Sequence, residues 1–268
     1  MKWSQEAETA VQKVPFFVRK KVRARVEAEA LKQNKKLITL AEIHAAQKRF
    51  MTGMQAEIKG YRLETCFGPS GCPHAVAPAQ GLAEQIETLL QHADFLGFLF
   101  SKGIKEPKFH HEFRVTLADC PNACSQPQIK DMGIIAARRP GPADPPCSTC
   151  NACVESCREA AIRIDTNVPT PVIDMQRCLA CGQCIAACPT GTLTTAAEGY
   201  RIQLGGKLGR HPRLARELPG IYDVATTLEI VHACIGFYKT RSLGERFGAV
   251  LDSEAFERLI GQFEPKAL

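Results

Sequence analysis

The chain has 268 residues, of which 45% are hydrophobic, so it can bury the core of one sizeable domain and of a smaller one. Disorder along the whole chain is therefore excluded. The formal charge of +6 is concentrated at the start: residues 1–60 hold 13 Lys and Arg against 6 Asp and Glu, and the rest is nearly neutral. We expect any basic surface to lie in this N-terminal segment.

The polar, acidic start of the chain does not resemble a secretory signal. The longest apolar stretch, residues 95–100, is too short to span a bilayer. Of the 13 cysteines, 8 fall in two tight runs rather than being scattered as in a disulfide framework, which favours a reducing compartment. These features predict a cytoplasmic protein with no membrane span.

The first residues, 1–53, predict a small helical domain. Ser4 can cap a first short helix, and a strongly basic helix is expected over residues 15–33. Thr39 followed by Glu42 is a capping box that opens a third helix, and this helix ends with the domain.

An α/β pattern follows from residue 60 onward. A helix is predicted over about 82–93, and the alternating stretches 112–119 and 132–137 predict strands. Residues 139–146 (RPGPADPP) are a Pro-rich linker, which indicates the boundary of an inserted module that runs to about residue 196.

After the inserted module, the last part of the chain again shows an α/β pattern. Residues 200–204 predict a strand, followed by a turn at Gly205 and Gly206. A long amphipathic helix is expected over residues 221–240 and a final helix over about 253–263.

Two repeats of the form C-x2-C-x2-C-x3-C lie within the inserted module. The first comprises Cys147, Cys150, Cys153 and Cys157, and the second comprises Cys178, Cys181, Cys184 and Cys188. Such spacing is typical of ferredoxins with two 4Fe-4S clusters, where the fourth ligand is exchanged between the runs. We therefore assign Cys188 to the cluster of the first run and Cys157 to that of the second. A pair of zinc sites is the alternative, and the repeated triple spacing disfavours it.

Four further cysteines could close a third cubane cluster: Cys66 and Cys72 in CFGPSGC, and Cys120 and Cys124 in CPNAC. These motifs resemble the cluster motif of siroheme-dependent sulfite and nitrite reductases. The likeness extends to ADCPNACSQPQIKDMGII and GYRIQLGGKLGRHPRLARELPG. By this resemblance Cys124 bridges the cluster to the siroheme iron.

The insertion of a ferredoxin between two siroheme-domain segments is similar to dissimilatory-type sulfite reductases. The resemblance implies an α+β fold, with the nitrite/sulfite reductase-like siroheme/4Fe-4S domain divided between residues 60–140 and 197–265. A bacterial-type two-cluster ferredoxin is then expected over residues 145–196, and the small helical domain precedes both.

Siroheme carries a ring of carboxylates, and the resemblance implies cations that bind them. The candidates are Lys130, Arg201, Lys207, Arg210 and Arg213, beside the Gly-Gly turn. Ordinary solvated surface charge is the alternative for each of them. Arg114 lies where the family has a substrate-binding Lys, and Arg62 is a further candidate for binding the anion. Glu112 occupies a place where a second cation is expected.

The N-terminal half domain that normally closes the siroheme pocket is not found here. WSQEAETAVQKVPFFVRKKVRARVE instead resembles the small helical C-terminal domain of a light-independent protochlorophyllide reductase subunit. We expect a homo- or hetero-oligomer to complete the pocket. The basic helix could dock on an acidic partner or on tetrapyrrole carboxylates, although a solvated helix face is the simpler interpretation. No nucleic-acid recognition motif is present.

The resemblance predicts a reductase that converts sulfite or nitrite by six electrons, which an external donor delivers through the ferredoxin clusters to the third cluster and its siroheme. The alternative is a non-catalytic multi-cluster electron-transfer protein or subunit that lacks siroheme. A reductase of another tetrapyrrole or anion is a third hypothesis. His110 and His111 could relay protons, but they are more simply surface residues, and Cys234 is most simply a buried hydrophobe.

Overall fold

A computed structural model describes residues 1–76, 80–165 and 167–263. The chain divides into two compact units, Met1–Ile58 and Lys59–Leu268. The first unit is built mainly of helices, and the second combines helices with a five-stranded sheet. This mixed architecture agrees with the predicted α+β class.

The first unit packs three helices around a small apolar core. Its elements are β1 (Lys2–Trp3), α1 (Gln5–Gln12), α2 (Phe16–Lys32), β2 (Leu37–Ile38) and α3 (Leu40–Ala56), with β1 and β2 parallel. Ser4 caps α1 by accepting the N–H of Ala7, as predicted. The helix α3 continues three residues beyond its predicted end, because a glycine such as Gly53 weakens a helix without terminating it.

The basic helix α2 uses part of its charge within the first unit. The guanidinium of Arg23 forms two hydrogen bonds of 2.6 Å with the carboxylate of Glu8 and lies over the ring of Trp3 at 4.4 Å. Arg19 donates to two backbone carbonyls that precede the helix. These two cations therefore stabilise the contact between α1 and α2 and are already engaged within the first unit.

The hydrogen bonds at the start of α3 make the stability of the first unit depend on pH. Glu42 accepts hydrogen bonds from the Lys35 ammonium at 2.5 Å and from the hydroxyl and N–H of Thr39 at 2.6 and 2.8 Å. These donors, Lys35 first, lower the pKa of Glu42 from 4.5 to about 2. Since the folded-state pKa is depressed, the stabilisation is present above pH 4.5 and is lost as the pH falls towards 2.

We expect Glu42→Gln to cost the first unit about 1 kcal/mol at neutral pH, the typical value of a helix cap. The variant should also lose the part of the pH dependence below 4.5 that comes from Glu42, while Glu8, whose pKa is lowered by Arg23, keeps its own contribution. Urea unfolding followed by helical circular dichroism over a pH series measures both effects. Glu6→Gln, at an exposed position of α1, is the control. An equal pH dependence in wild type and Glu42→Gln would contradict the prediction.

A five-stranded sheet forms the centre of the second unit. Its strands are β3 (Tyr61–Thr65), β4 (Phe113–Ala118), β5 (Met132–Pro142), β8 (Leu193–Leu204) and β9 (Arg216–Glu217), in the order β3-β4-β5-β8-β9. The first three strands are parallel, and β8 and β9 are antiparallel to their neighbours. The carboxyl ends of β3, β4 and β5 therefore meet at one edge of the sheet.

The alternation of side chains gives the sheet one apolar and one polar face. The apolar face packs into the main core with α4 (Gln80–His92), α5 (Phe95–Ser101), α8 (Val224–Arg241), α9 (Phe247–Val250) and α10 (Ser253–Ile260). Phe113 lies at the centre of this core, stacked on Phe95 at 5.3 Å and edge-on to Phe247 at 5.3 Å. On the polar face Arg62 lies opposite Arg114 in the register of β3 and β4.

The predicted linker is partly wrong. Residues 139–142 belong to β5 and pair with the first residues of β8, which begins at Leu193, inside the segment predicted as the inserted module. Beyond Ile135 the strand no longer pairs with β4, so the missing N–H groups of Pro140 and Pro142 can face away from β8 without costing a hydrogen bond of the ladder. A register shift between Arg139 and Pro140 accommodates the change.

A small two-fold module occupies the chain between β5 and β8. It contains α6 (Ala152–Ser156), β6 (Ile162–Ile164), β7 (Pro171–Ile173) and α7 (Gln183–Ala187), with β6 and β7 antiparallel. Its core consists of Cys153, Ile162, Cys184 and Leu193. Because this core is small and two of its four residues are thiols, apolar packing contributes only a small part of the stability of the module.

Candidate functional site

We call Cys66, Cys72, Cys120 and Cys124 the separated set. The parallel strands β3 and β4 bring two of its members, Cys66 and Cys120, together. Cys66 follows β3 directly, Cys120 follows β4 by two residues, and the N–H of Cys66 donates to the carbonyl of Leu117 at 3.1 Å. The Sγ of Cys66 accepts the N–H of Gly68 at 3.3 Å and that of Asp119 at 3.2 Å. Backbone donors aimed at a sulfur stabilise its thiolate, which is the form that binds iron.

Three other thiols surround Cys120. Burial raises the pKa of the Cys120 thiol, and the neighbouring thiols of Cys66, Cys124 and Cys72 raise it further. Ala123 adopts a left-handed φ of 53°, which turns the C-P-N-A-C segment so that exposed Cys124 stays beside this group. Four cysteines thus converge from two distant segments, and this donor set fits a 4Fe-4S cluster.

The two cysteine runs of the small module have the same backbone shape. Thr149 and Ala180 are equivalent positions in the two runs, and both have a φ of 54°. Asn151 and Gly182 are also equivalent, with φ of 59° and 71°, and each precedes a short helix, α6 or α7. The sequence repeat is therefore a repeat of local structure.

The thiols of the module group across the two runs. Cys153 lies in the electrostatic field of Cys188 and Cys147, and burial raises its pKa. Burial likewise raises the pKa of Cys184 to about 12, and its thiol neighbours are Cys178, Cys181 and Cys157. The structure therefore places Cys157 with the second run and Cys188 with the first, and Cys150 is exposed.

A cavity of about 380 Å³ lies between the second run and the separated set. Cys120 and Asn122 contribute to its wall from the β4 side, and Cys157, Cys178 and Cys181 contribute from the module. None of the cysteines 147, 150, 153 and 188 is among its lining residues. The second run is thus the one that adjoins the separated set.

Within the described ranges, no three His, Cys, Asp or Glu side chains are close enough to hold a single metal ion. A zinc ion binds thiolates at about 2.3 Å, so its ligands must lie close to one another. A cubane of four irons is larger and needs thiolates around a wider volume.

Acidic residues already engage several of the predicted cations. Glu64 forms ion pairs with Arg62 at 3.1 Å and with Lys130. Glu217 accepts two hydrogen bonds from Arg201, at 2.6 and 2.8 Å. The sequence interpretation did not include these two glutamates, although Glu64 follows Arg62 by two residues in an alternating segment and so shares its face of the strand.

The loop after the Gly-Gly pair contains the remaining predicted cations. Lys207 and Arg213 exchange two backbone hydrogen bonds of 2.9 Å, and the guanidinium of Arg213 donates to the carbonyls of Gly205, Gly248 and Leu251. Arg213 therefore has a structural role. In the described parts of the chain, Lys207 and exposed Arg210 form no ion pair and can bind an external anion.

The two predicted substrate residues lie side by side on the polar face. The Nη2 of Arg114 donates to the carbonyl of Phe109 at 3.0 Å, whereas its buried Nε has no hydrogen-bond partner among the described residues. Glu112 is 3% exposed, and one carboxylate oxygen likewise has no partner there. Burial raises the pKa of Glu112, against the effect of Arg62 and Arg114. The position at which a second cation is expected thus holds a buried carboxyl group with a raised pKa.

Among the described residues, no hydrogen bond connects His110 or His111, which precede β4, to a cysteine. The Nδ1 of His111 accepts the N–H of Lys108 at 2.9 Å, and its pKa is lowered by burial and by the nearby charges of His110 and Lys108. His111 therefore stabilises a local turn. Cys234 is fully buried on α8, where burial raises its pKa, as expected for a small hydrophobic residue.

No helix in the described part of the chain combines the length and apolar character needed to cross a bilayer. The N-terminal residues 3–47 match the family model of the proto-chlorophyllide reductase 57 kD subunit, which confirms the predicted resemblance of this segment.

The chain is 26% identical over 216 residues to the coenzyme F420-dependent sulfite reductase of Methanocaldococcus jannaschii, covering 80% of this chain and 32% of that protein. It is 27% identical over 188 residues to the dissimilatory-type sulfite reductase beta subunit of Nitratidesulfovibrio vulgaris, covering 58% of this chain and 49% of the subunit. The chain thus spans half or less of these curated relatives. A solved structure of dissimilatory sulfite reductase I has a TM-score of 0.49 and 16% identity, covering 82% of this chain and 58% of that one.

Residues 61–267 match the family model of the nitrite and sulphite reductase 4Fe-4S domain. This match includes the whole sheet, the three cysteine sets and all of the predicted cations. The chain therefore belongs to the nitrite and sulphite reductase 4Fe-4S domain family.

Proposed function

We propose that the chain is a siroheme- and iron-sulfur-dependent reductase of sulfite or nitrite that carries out a six-electron reduction. The observation that carries this proposal is the convergence of Cys66, Cys72, Cys120 and Cys124 at the carboxyl edge of the parallel strands. The curated relatives are sulfite reductases, which favours sulfite as the substrate.

Three 4Fe-4S clusters belong to this proposal. Cys147, Cys150, Cys153 and Cys188 hold one, Cys178, Cys181, Cys184 and Cys157 hold the second, and the separated set holds the third. The cavity that joins the second run to Cys120 supports an order in which an external donor supplies the first run and the second run faces the third set. Residues 145–196 then act as a ferredoxin module inserted into the reductase domain.

Cys124 is the residue that would hold the siroheme iron, since it is exposed while the other thiols of its set are partly or fully buried. Lys207 and Arg210 are free to bind the ring carboxylates, Lys130 and Arg201 would bind them in exchange for Glu64 and Glu217, and Arg213 would hold the loop that carries Lys207 and Arg210. When bound, siroheme supplies the metal at which the anion is reduced, next to a cluster that stores electrons.

Arg62 and Arg114 attract the anion in this proposal. Their guanidinium groups lie on neighbouring strands of the polar face, where two cations raise the local concentration of an anionic substrate. The buried carboxyl group of Glu112 lies beside them, and burial raises its pKa. A second copy or a different subunit would complete the pocket.

A multi-cluster electron-transfer protein without siroheme is the second candidate. The ion pairs of Glu64 and Glu217 favour it, because they neutralise Arg62, Lys130 and Arg201 without any tetrapyrrole. In this alternative all three clusters remain, and the cations of the polar face pair with Glu64 and Glu217 instead of binding a tetrapyrrole.

Purification without oxygen, followed by an absorption spectrum and an iron determination, distinguishes the two candidates. Three clusters of four irons and one siroheme iron amount to about 13 iron atoms per chain. We expect that value together with siroheme bands. About 12 iron atoms without siroheme bands would reject the reductase and leave the electron-transfer protein.

A further inference from the structure

Arg138 lies in β5 where this strand meets the second cysteine run. Its N–H donates to the carbonyl of Ala180 at 2.7 Å, and it forms an isolated parallel bridge with Cys181. A Cβ added to Gly182 would lie 3.3 Å from the Cβ and Cδ of Arg138, so the arginine stem packs directly on the backbone of this run. The strand and the run are therefore in close contact at Arg138.

The guanidinium of Arg138 extends to the loop that follows Cys72. Its Nη2 donates to the carbonyl of Val76 at 3.1 Å, and the N–H of Val76 donates to the carbonyl of Asp119 at 2.7 Å. The N–H of Asp119 in turn donates to the Sγ of Cys66 at 3.2 Å. A continuous series of hydrogen bonds thus connects Arg138 to a thiol of the separated set.

Fold stability does not explain this arrangement. Arg138 also pairs with Glu198 through Nε at 3.2 Å and Nη2 at 3.0 Å, but their side chains are 35% and 43% exposed. Such an exposed pair contributes little to stability. The contact to Val76 is different, because it joins two loops that each lead to a cysteine set.

We infer that Arg138 is a positioning residue that sets the separation between two cysteine sets, Cys157/Cys178/Cys181/Cys184 and Cys66/Cys72/Cys120/Cys124. The inference rests on the proposed function only in that both sets hold clusters. Its stem fixes one set and its guanidinium fixes the other. Because the transfer of electrons between clusters depends steeply on their distance, a small displacement of either loop would slow it.

The test is the magnetic interaction between the two clusters, recorded by electron paramagnetic resonance on the full-length protein reduced with dithionite without oxygen. Arg138→Met keeps the stem on Gly182 and removes the hydrogen bond to Val76. We expect this variant to lose the splitting produced by the interaction while its iron content stays at the wild-type value. Glu198→Gln is the matched control, since it removes the ion pair but leaves the contact with Val76, and it should keep the splitting.

Arg138→Lys provides a second variant, because an ammonium can still donate to the carbonyl of Val76. Partial recovery of the splitting is expected. A purely structural role would instead lower the urea midpoint of Arg138→Met without changing the splitting.

An unchanged splitting in Arg138→Met, an equal loss in Glu198→Gln, or no interaction in the wild type would overturn the inference. The absence of siroheme bands would reject the proposed reductase and leave this measurement intact, so the two failures are distinguishable.

Discussion

Cys124→Ser is expected to abolish siroheme retention while leaving the clusters of the ferredoxin module in place. A serine oxygen is a poor substitute for a thiolate as a ligand of cluster iron. Cys124 is also the exposed member of its set, held beside Cys120 by the turn at Ala123. The iron content should therefore fall from about 13 to about 8 atoms per chain, as the third cluster and the siroheme iron are lost together.

Absorption spectra and iron determination on protein purified without oxygen measure this loss. Cys234→Ala is the matched control, because this cysteine is buried on α8 away from all three sets and should leave the iron content unchanged. Siroheme bands of wild-type intensity in Cys124→Ser would refute its assignment as the bridging ligand.

Asp131→Ala is expected to cause the largest loss of stability in the second unit. Asp131 is fully buried immediately before β5, where it pairs with Arg246 at 3.3 Å and accepts the N–H of Arg114 at 3.0 Å. It therefore connects β4, the start of β5 and Arg246, the residue that precedes α9. Removing Asp131 leaves the guanidinium of Arg246 and the N–H of Arg114 without their acceptor, which costs about 3 kcal/mol, the lower end for a broken buried pair because the Arg246 side chain is 23% exposed.

Urea unfolding followed by circular dichroism measures this free energy. Asp131→Asn keeps an acceptor for the N–H of Arg114 and should lose less. Glu254→Gln is the control for an exposed pair: Glu254 lies 3.6 Å from Arg258, and the two side chains are 82% and 61% exposed. This control should change stability by less than about 0.5 kcal/mol. An Asp131→Ala protein as stable as the control would show that the buried pair contributes nothing.

Features that depend on neighbouring residues were predicted well. The caps at Ser4 and Glu42 lie within three residues of the groups they bind, and both are present. The long helix over 221–240 is observed as Val224–Arg241, with Asp223 as its cap. The final helix ends at Ile260, somewhat before its predicted end.

Features that depend on distant partners were predicted less well. The strand β3 was missed although YRLET alternates, because five residues give a weak periodic signal. Residues 139–142 were interpreted as a linker from their prolines, yet pairing with β8 makes them strand. The helix α5, capped by Asp94, was noted only as an apolar stretch. In each case a tertiary partner overrides the local propensity.

The sequence by itself determined the two cysteine runs of the module, because their spacing is local and their backbone turns repeat at equivalent positions, such as Thr149 and Ala180. It also determined the family, through motifs confined to short segments. Only the tertiary structure decided which cations are available. Glu64 reaches Lys130 across 66 positions of sequence and Glu217 reaches Arg201 from another strand, and such pairs exist only once the register of the sheet is set.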